Sequence, residues 1–203
     1  LMGNPNSGKT AIFNLLTGMN HKVSNYPGIT VEKRKGIALL PQNSQVEILD
    51  MPGTYSLTPE SLDEKIVAQQ VLEWMHGEEK PVAIISVVDG GNLSRNLYLT
   101  SQLLDLDIPV IVALNMMDRV KRKNQDIDCQ ALKKMLGAAA VVPMSAREKW
   151  GIDELQQELT LVIQNKYITH QSRLQMKIPD EVAECIHPIS EILIQQHKYN
   201  EHM

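Results

Sequence analysis

Short apolar runs alternate with amphipathic segments through most of the chain. Two runs, Val82–Val88 and Pro109–Leu114, are continuous and rich in β-branched residues, which predicts strands that are buried on both faces. The segments Ser94–Leu106 and Ile152–Gln164 repeat their apolar residues at helical spacing, which predicts amphipathic helices. Buried strands that alternate with helices indicate an α/β fold with a mostly parallel sheet.

Turn and capping signals place the remaining elements. The runs Gly36–Leu40 and Gln45–Asp50 predict a hairpin, which adds one antiparallel edge strand to a six-stranded sheet with helices on both faces. Ser61 and Glu64 have the spacing of a capping box, which predicts the start of a helix. The other predicted elements are a strand remnant, three helices and a strand: Leu1-Met2, Lys9–Thr17, Ser61–Met75, Asp128 (or Asp126)–Gly137 and Ala140–Met144.

The character of the sequence changes after Lys166. Residues 167–178 are polar and irregular, and Pro179-Asp180 then begins one predicted helix that extends to about Gln196. A single helix cannot bury its own apolar face, so residues 167–203 are interpreted as the start of a second, helical unit. Residues 1–166 form the predicted α/β domain. Because Leu1-Met2 resembles the end of a strand, we expect the sequence to be a fragment.

The composition is that of an ordinary globular protein: of 203 residues, 43% are hydrophobic and 22% are charged. The 20 Lys and Arg residues against 24 Asp and Glu residues give a formal charge of −4, which argues against a surface that binds nucleic acid throughout. Two cysteines cannot form a disulfide framework, so a reducing compartment is expected. The apolar runs are too short to span a bilayer and no signal peptide is recognised, so we expect a soluble protein.

The segment Gly3–Thr10 carries the strongest chemical signal. It reads Gly-Asn-Pro-Asn-Ser-Gly-Lys-Thr, lies between a strand remnant and a predicted helix, and fits the phosphate-binding P-loop pattern. Its glycines let the backbone wrap a phosphate, which the N–H groups and the helix N-terminus bind. Lys9 is expected to reach the β- and γ-phosphates, and Thr10 to ligate Mg²⁺. The residues predicted to surround the phosphates are Gly3, Asn4, Asn6, Ser7, Gly8, Lys9, Thr10 and Ala11.

Two further segments supply candidate groups for the metal and the γ-phosphate. Asp50-Met51-Pro52-Gly53 follows an apolar strand. In P-loop proteins an aspartate at the end of the second strand meets Mg²⁺, and the N–H of a glycine such as Gly53 can approach the γ-phosphate. Thr30 precedes the hairpin, where its hydroxyl could bind Mg²⁺; an unengaged loop threonine is the alternative. We therefore predict Mg²⁺ ligands at Thr10, Thr30 and Asp50, and catalytic groups at Lys9, Thr30 and Gly53.

The segment Asn115-Met116-Met117-Asp118 follows a buried predicted strand, at the position where ligands bind in open α/β sheets. A carboxylate there accepts hydrogen bonds from the ring N–H and the exocyclic amino group of guanine, whereas adenine has no matching pair of donors. Asp118 therefore predicts selection of GTP over ATP; a helix-capping aspartate is the alternative. A backbone N–H of Ser145-Ala146 could meet the guanine oxygen. The predicted base-binding residues are Asn115, Met116, Asp118, Ser145 and Ala146.

These motifs, in this order, resemble the translation-factor-related class of small GTPases. Three longer segments narrow the resemblance to the ferrous iron transport protein B (FeoB) family: Tyr26–Glu32, Pro52–Leu57 and Val88–Leu104. Met116 also stands where most GTPases have lysine. The resemblance covers residues 1 to about 165, and residues 167–203 lie in the position of the family's helical regulatory domain, which we expect to be incomplete here.

The resemblance implies a cytosolic GTPase domain that regulates a membrane-embedded Fe²⁺ transporter, which is part of the same full-length protein. It places the domain at the cytoplasmic face of the bacterial inner membrane. GTP, GDP and Mg²⁺ are the implied ligands. No nucleic acid partner is implied, and the resemblance leaves room for a homo-oligomer.

The resemblance also bears on hydrolysis. Thr54 stands where Ras-like proteins have the glutamine that orients the attacking water, so slow intrinsic hydrolysis is expected. In potassium-activated relatives, an asparagine at the position of Asn6 ligates K⁺ beside the phosphates, and carbonyls of the first switch complete that site. Ser24 and Tyr26 occupy these switch positions, so the three residues are candidate K⁺ ligands, and the resemblance adds Asn6 to the candidate catalytic groups. A turn-forming role is the alternative for Asn6.

Two other functions stay open. The first is a nucleotide-dependent binding switch with negligible hydrolysis, which Thr54 favours. The second is a ribosome-assembly GTPase of the same superfamily, which would need an RNA-binding appendage that the acidic chain does not offer. The basic run Arg119–Lys123 is interpreted as a solvated loop rather than as a lipid or nucleic acid site.

Overall fold

In a computed structural model, the structure describes residues 1–19, 21–26, 31–76 and 80–164. Strands and helices alternate along these residues, as the apolar runs predict. The strands are β1 (Met2–Gly3), β2 (His21–Asn25), β3 (Glu32–Leu40), β4 (Ser44–Asp50), β5 (Ile84–Asp89), β6 (Val110–Asn115) and β7 (Ala140–Pro143). The helices are α1 (Lys9–Thr17), α2 (Leu62–Met75), α3 (Leu93–Leu104), α4 (Met117–Arg122), α5 (Cys129–Leu136) and α6 (Ile152–Ile163).

A parallel sheet in the order β1-β5-β6-β7 forms the centre of the described domain. Its pairs are all parallel, with Ile84 opposite Val110 and Ile111 opposite Ala140. Every residue of β6 is buried, which explains why this strand is a continuous apolar run in the sequence. The carboxyl ends of β1, β5 and β6 therefore meet at one edge, which is where the sequence motifs lie.

The expected α/β class is confirmed, but the strands are divided differently from the expected six-stranded sheet. β2, β3 and β4 form a separate antiparallel sheet rather than one added edge strand. Leu1 links the two sheets by backbone hydrogen bonds: its nitrogen donates to Leu49 O (2.7 Å), and its carbonyl accepts from Met51 N (3.1 Å). β2 gave no strand signal because its residues are polar and mostly exposed.

Alternate residues of the parallel strands face two different hydrophobic clusters, one on each side of the sheet. On one side, Ile111 and Ala113 pack with α1 and α6, including Phe13 and Leu155. On the other side, Val112 and Leu114 of the same strand pack with α3 and α5. Helices cover both faces of the sheet, as expected. The sheet edge at which the motifs lie is therefore supported by a packed hydrophobic cluster on each side.

Local signals place most helix ends correctly. Ser61 and Glu64 form the predicted capping box at the start of α2, and Asp128 rather than Asp126 caps α5 by accepting from the backbone N–H groups of residues 130 and 131. Gly18 and Gly137 end α1 and α5 with left-handed backbones. The helix predicted after Pro179 and the domain boundary at residues 166–167 lie outside the described residues.

The basic side chains of the run Arg119–Lys123 are exposed, as its charge suggested, but the run is mainly helical rather than a loop. Most of it lies in α4, which begins after Met116, a residue with a left-handed backbone. Met117 and Val120 are each 2% exposed and belong to the core cluster beside α3 and α5. Burial of these two apolar side chains holds the basic segment as a helix against the sheet edge.

Candidate functional site

The loop from β1 to α1 is compact and lies against β5. Ser7 N donates to Asn4 O (3.2 Å), and Gly8 has a left-handed backbone with φ of +89°. A Cβ added at Gly3 would lie 2.6 Å from Val87 O, so only glycine fits this close approach. Asn6 is exposed at the tip of the loop, also with a left-handed backbone. The predicted P-loop is therefore present at the carboxyl end of β1.

Two polar side chains inside this loop are buried. Asn4 Nδ2 donates to the carbonyl of Arg95 in α3 (3.3 Å), which fixes the loop to that helix. The Ser7 hydroxyl is buried, and no described residue of the protein forms a hydrogen bond with it. A buried hydroxyl without a protein partner is costly, and an anionic oxygen held by the loop is a partner of the right chemistry.

The predicted metal-side residues lie around one cleft. Lys9 Nζ and Asp50 Oδ1 are 2.7 Å apart, and their side chains are 11% and 6% exposed, so this is a largely buried ion pair. Asp50 and Thr10 line a cleft of about 430 Å³ together with Glu32, Arg34 and Asp63. Hydroxyl and carboxylate oxygens are ligands that Mg²⁺ accepts, so Thr10 and Asp50 fit that ion. Thr30 lies outside the described residues.

The segment after β4 contacts the P-loop directly. Thr54 N donates to Gly3 O (3.2 Å), and a Cβ added at Gly53 would lie 3.2 Å from Pro5 Cα. The Thr54 side chain is fully buried, and its hydroxyl donates to Ser56 O (2.5 Å). Because the hydroxyl is used within its own segment, Thr54 does not replace a water-orienting glutamine.

Glu64 holds the same segment from the start of α2. Its Oε2 accepts from Glu60 N (2.9 Å) and Ser61 N (3.2 Å), and its Oε1 lies 3.3 Å from the Thr54 hydroxyl. Burial by itself would raise the pKa of this carboxyl group, but these hydrogen bonds outweigh burial and lower the pKa. Glu64 was predicted only as a helix cap, so its contact with Thr54 is additional.

Asn115 joins the P-loop to the base-side motifs. Its Nδ2 donates to Ser7 O (2.9 Å), and its Oδ1 accepts from Ala146 N (2.9 Å). The residue is 2% exposed. A Cβ added at Gly8 would lie 2.2 Å from Asn115 Nδ2, so the glycine leaves room for this amide. Residues that are far apart in sequence are thus held together by one buried side chain.

Asp118 lies beside Asn115 and is 5% exposed. Its Oδ1 accepts from the Ser145 hydroxyl (3.0 Å), and its Oδ2 accepts from Arg122 Nη2. Burial would raise the pKa of this carboxyl group, but the hydrogen bonds from Ser145 and Arg122 and the Arg122 charge outweigh it and lower the pKa. Met116, rather than Asp118, is the N-cap of α4, so Asp118 is not a capping residue.

The positions of Ser145 and Ala146 do not test their predicted hydrogen bonds with guanine. The Ala146 N–H already donates to Asn115, and the Ser145 N–H donates to Trp150 O (3.1 Å), so a bond from either to a guanine oxygen stays a prediction. Sequence reasoning missed the Ser145 hydroxyl and Arg122 as partners of Asp118. The spacing of Asp118 and Arg122, four residues apart on a helix, is the signal that could have identified the second.

The two candidate K⁺ residues of the first switch lie at the end of β2 and just after it. Ser24 is in β2, opposite Lys33 of β3. Tyr26 is buried, and its hydroxyl donates to Met51 Sδ (3.6 Å). Burial and the negative charges of Asp50 and Glu73 raise the pKa of Tyr26 to about 12. The contact of Ser24 and Tyr26 with a cation stays a prediction.

Among the described residues, no helix is both long enough and apolar enough to cross a membrane.

Comparisons with known proteins agree with this arrangement. A family model described as ferrous iron transport protein B matches residues 1–159. The Fe(2+) transporter FeoB of Legionella pneumophila (strain Paris) is 47% identical over 163 residues, which are 78% of this chain and 21% of that protein. The chain thus spans about a fifth of the length of this relative.

Solved structures show the same fold. The cytosolic domain of L. pneumophila FeoB has a TM-score of 0.72 and 46% identity, over 79% of this chain and 66% of that one. The cytosolic domain of the T. maritima FeoB iron transporter in its GMPPNP form has a TM-score of 0.74 and 35% identity, over 83% of this chain and 64% of that one. From the family model, the sequence identity and the shared fold, we conclude that the chain belongs to the ferrous iron transport protein B family.

Proposed function

We propose that this chain binds GTP and hydrolyses it slowly to GDP and phosphate, with Mg²⁺. The observation that carries the proposal is the position of Asn115, which bonds to the P-loop through Ser7 O and to the base-side loop through Ala146 N. One buried amide therefore fixes the distance between a phosphate site and a base site. The T. maritima relative in its GMPPNP form supports the same class of ligand.

The phosphate side of the proposed site is built from α1 and β4. Backbone N–H groups at the start of α1 and the Ser7 hydroxyl are donors for phosphate oxygens. Lys9 is paired with Asp50 and would turn from it toward the β- and γ-phosphates, where its charge stabilises the transferred phosphoryl group. Thr10 and Asp50 would hold Mg²⁺, which would neutralise negative charge that develops on the phosphates.

The base side of the proposed site selects guanine through Asp118. Its two carboxylate oxygens match the ring N–H and the amino group of guanine, and the lowered pKa keeps the carboxyl group ionised at neutral pH. The Ser145 hydroxyl fixes the orientation of the carboxylate. Adenine presents no such pair of donors, so ATP binds weakly.

Slow hydrolysis follows from the second switch. Thr54 is buried and its hydroxyl is engaged by Ser56, so no side chain at this position orients the attacking water. We infer that K⁺, held by Asn6 and by groups of Ser24 and Tyr26, supplies positive charge near the β- and γ-phosphates instead. The exposed, left-handed position of Asn6 leaves its side chain available for this role.

In the full-length protein we infer that nucleotide state regulates a ferrous iron transporter at the cytoplasmic face of the bacterial inner membrane. The support is family membership, since the curated relative is named as an Fe(2+) transporter. The membrane-embedded part would be the partner of this domain. A homo-oligomer of the domain is compatible with the same role.

Single-turnover phosphate release from GTP, with Mg²⁺ and in KCl or NaCl at equal ionic strength, tests the proposal. We expect slow release that is specific for GTP over ATP, is faster in KCl, and is lost in Lys9→Ala. Lys35→Ala is the matched control, because Lys35 forms an ion pair with Glu47 on the antiparallel sheet of β2, β3 and β4.

Asn6→Ala separates the potassium proposal from hydrolysis itself. We expect this variant to bind GDP normally and to release phosphate at the same rate in both salts. Equal rates for the unmodified chain in KCl and NaCl would contradict the K⁺ role. Tight GTP binding without hydrolysis in either salt would favour a binding switch, which the engaged Thr54 hydroxyl supports.

A further inference from the structure

We propose that Arg122 competes with guanine for the carboxylate of Asp118 and so weakens the binding of guanine nucleotides. This inference rests on the proposed function, because it concerns the base side of the same site. It assigns to a residue of α4 that is not among the predicted site residues a role in setting nucleotide affinity.

The geometry makes Arg122 a two-point partner of Asp118. Arg122 Nη2 donates to Asp118 Oδ2, and Arg122 Nε donates to the backbone carbonyl of Asp118 (3.1 Å). The other carboxylate oxygen already accepts from the Ser145 hydroxyl (3.0 Å). Each oxygen that guanine needs therefore already accepts one hydrogen bond from the protein, and that on Oδ2 comes from a charged group.

The exposure of Arg122 and Ser145 indicates which of these two partners of Asp118 moves when guanine binds. The side chain of Asp118 is 3% exposed, whereas that of Arg122 is 59% exposed. Ser145 is fully buried and is fixed by its backbone pairing with Trp150, so it stays in place when a base arrives. Arg122 lies at the last residue of α4 and can turn into solvent, where a guanidinium group is well hydrated.

Guanine and hypoxanthine donate different numbers of hydrogen bonds to the Asp118 carboxylate. Guanine offers the ring N–H and the exocyclic amino group and uses both oxygens. Hypoxanthine, the base of inosine diphosphate, lacks the amino group and uses one oxygen, so it leaves Oδ2 to Arg122. Competition by Arg122 therefore reduces the affinity for GDP and leaves the affinity for inosine diphosphate nearly unchanged.

The test is the dissociation constant of GDP and of inosine diphosphate for Arg122→Gln, measured by titration calorimetry on the same 203-residue chain. We expect GDP to bind about fivefold more tightly than to the unmodified chain, the size of one partly exposed ion pair. Inosine diphosphate should change by less than about twofold. The ratio of the two constants is the decisive readout, because a general loss of stability would not alter it.

Arg119→Gln is the matched control. Arg119 lies on the same helix, carries the same charge and contacts Met116 Sδ (3.3 Å) instead of Asp118. It should leave the ratio unchanged, which excludes a simple effect of net charge near the site.

Two results would overturn the inference and leave the proposed function intact. One is an unchanged ratio in Arg122→Gln. The other is weaker GDP binding in that variant, which would make Arg122 a residue that orients Asp118 for the base. If the unmodified chain binds neither nucleotide, the proposed function fails and the inference fails with it.

Discussion

Gly8 and Gly18 both have left-handed backbones, but only Gly8 lies against another part of the molecule. A Cβ at Gly8 would lie 2.2 Å from Asn115 Nδ2, whereas no described residue other than the chain neighbours of Gly18 has an atom within 4 Å of a Cβ placed there. The two glycines therefore separate the effect of backbone conformation from the effect of close approach. Because Gly8 has no Cβ, the Asn115 side chain can lie close to it, between the P-loop and the loop at Ser145-Ala146.

We predict that Gly8→Ala weakens GDP binding by at least about tenfold, because Asn115 must leave its position and its buried hydrogen bonds are broken. Gly18→Ala should cost about 1 kcal/mol of stability from its backbone conformation, with unchanged GDP affinity. Titration calorimetry and thermal unfolding measure the two effects. Equal losses of affinity in both variants would contradict the role of Asn115.

A second residue-scale prediction concerns Asp118 and pH. Because its pKa is lowered in the folded chain, the ionised carboxylate stabilises the fold above the ordinary aspartate pKa of 3.8. This contribution is lost as the pH falls through the lowered pKa. We therefore expect Asp118→Asn to be less stable than the unmodified chain at pH 7, and the difference in the free energy of unfolding to shrink below about pH 4.

Urea unfolding of both chains at a series of pH values checks this prediction. A stability difference that stays constant from pH 7 to strongly acidic pH would show that the loss comes from packing rather than from the carboxylate charge.

At the scale of elements, the capping box at the start of α2 was predicted from two residues and is present. The Ser61 hydroxyl accepts from Glu64 N (3.3 Å), and the Glu64 side chain accepts from Ser61 N (3.2 Å). Glu64 also lies within 3.3 Å of the Thr54 hydroxyl, so the helix start supports the second switch. A local signal in the sequence thus has a consequence for the site.

We predict that Ser61→Ala lowers the free energy of unfolding by about 1 kcal/mol, because one N-terminal N–H of α2 loses its acceptor. In a domain of this size that corresponds to a melting temperature lower by about 2–4 °C. Ser94→Ala, at an exposed position early in α3, is the matched control and should change little. Equal effects in the two variants would contradict the capping role.

At the scale of the whole molecule, the described domain depends on two hydrophobic clusters that share one sheet. Phe13 of α1 and Leu103 of α3 are both fully buried, on opposite sides of that sheet. Since β5 and β6 contribute to both clusters, a loss on either side should loosen the edge that carries the site.

We therefore predict that Phe13→Ala costs about 3–5 kcal/mol and Leu103→Ala about 2–5 kcal/mol in the free energy of unfolding, from lost burial and the cavities left behind. Leu39→Ala is the control, because Leu39 is 65% exposed on β3. Urea unfolding measures all three. A small effect on only one side would show that the domain depends mainly on the other cluster.

The sequence by itself determined the parts of the protein that depend on neighbouring residues. The buried strands, the capping box and the left-handed helix ends follow from local pattern and backbone preference. The loop from β1 to α1 could be predicted because its motif is contiguous and its conformation depends on its own backbone, whereas the Mg²⁺ role of Asp50 stays a prediction. Polar β2 lacked such a pattern, and it forms a strand only because β3 pairs with it.

Only the tertiary structure decided which of these motifs meet. Asn115 bonds to Ser7 and Ala146, which are 108 and 31 residues away, because parallel strands bring their carboxyl ends to one edge. The Ser145 contact with Asp118 likewise depends on where the loop after β7 is placed beside α4, whereas the Arg122 contact lies within α4. Motif spacing carries no information on the Ser145 contact, since a hydrogen bond between distant residues depends on distance and angle in the folded chain.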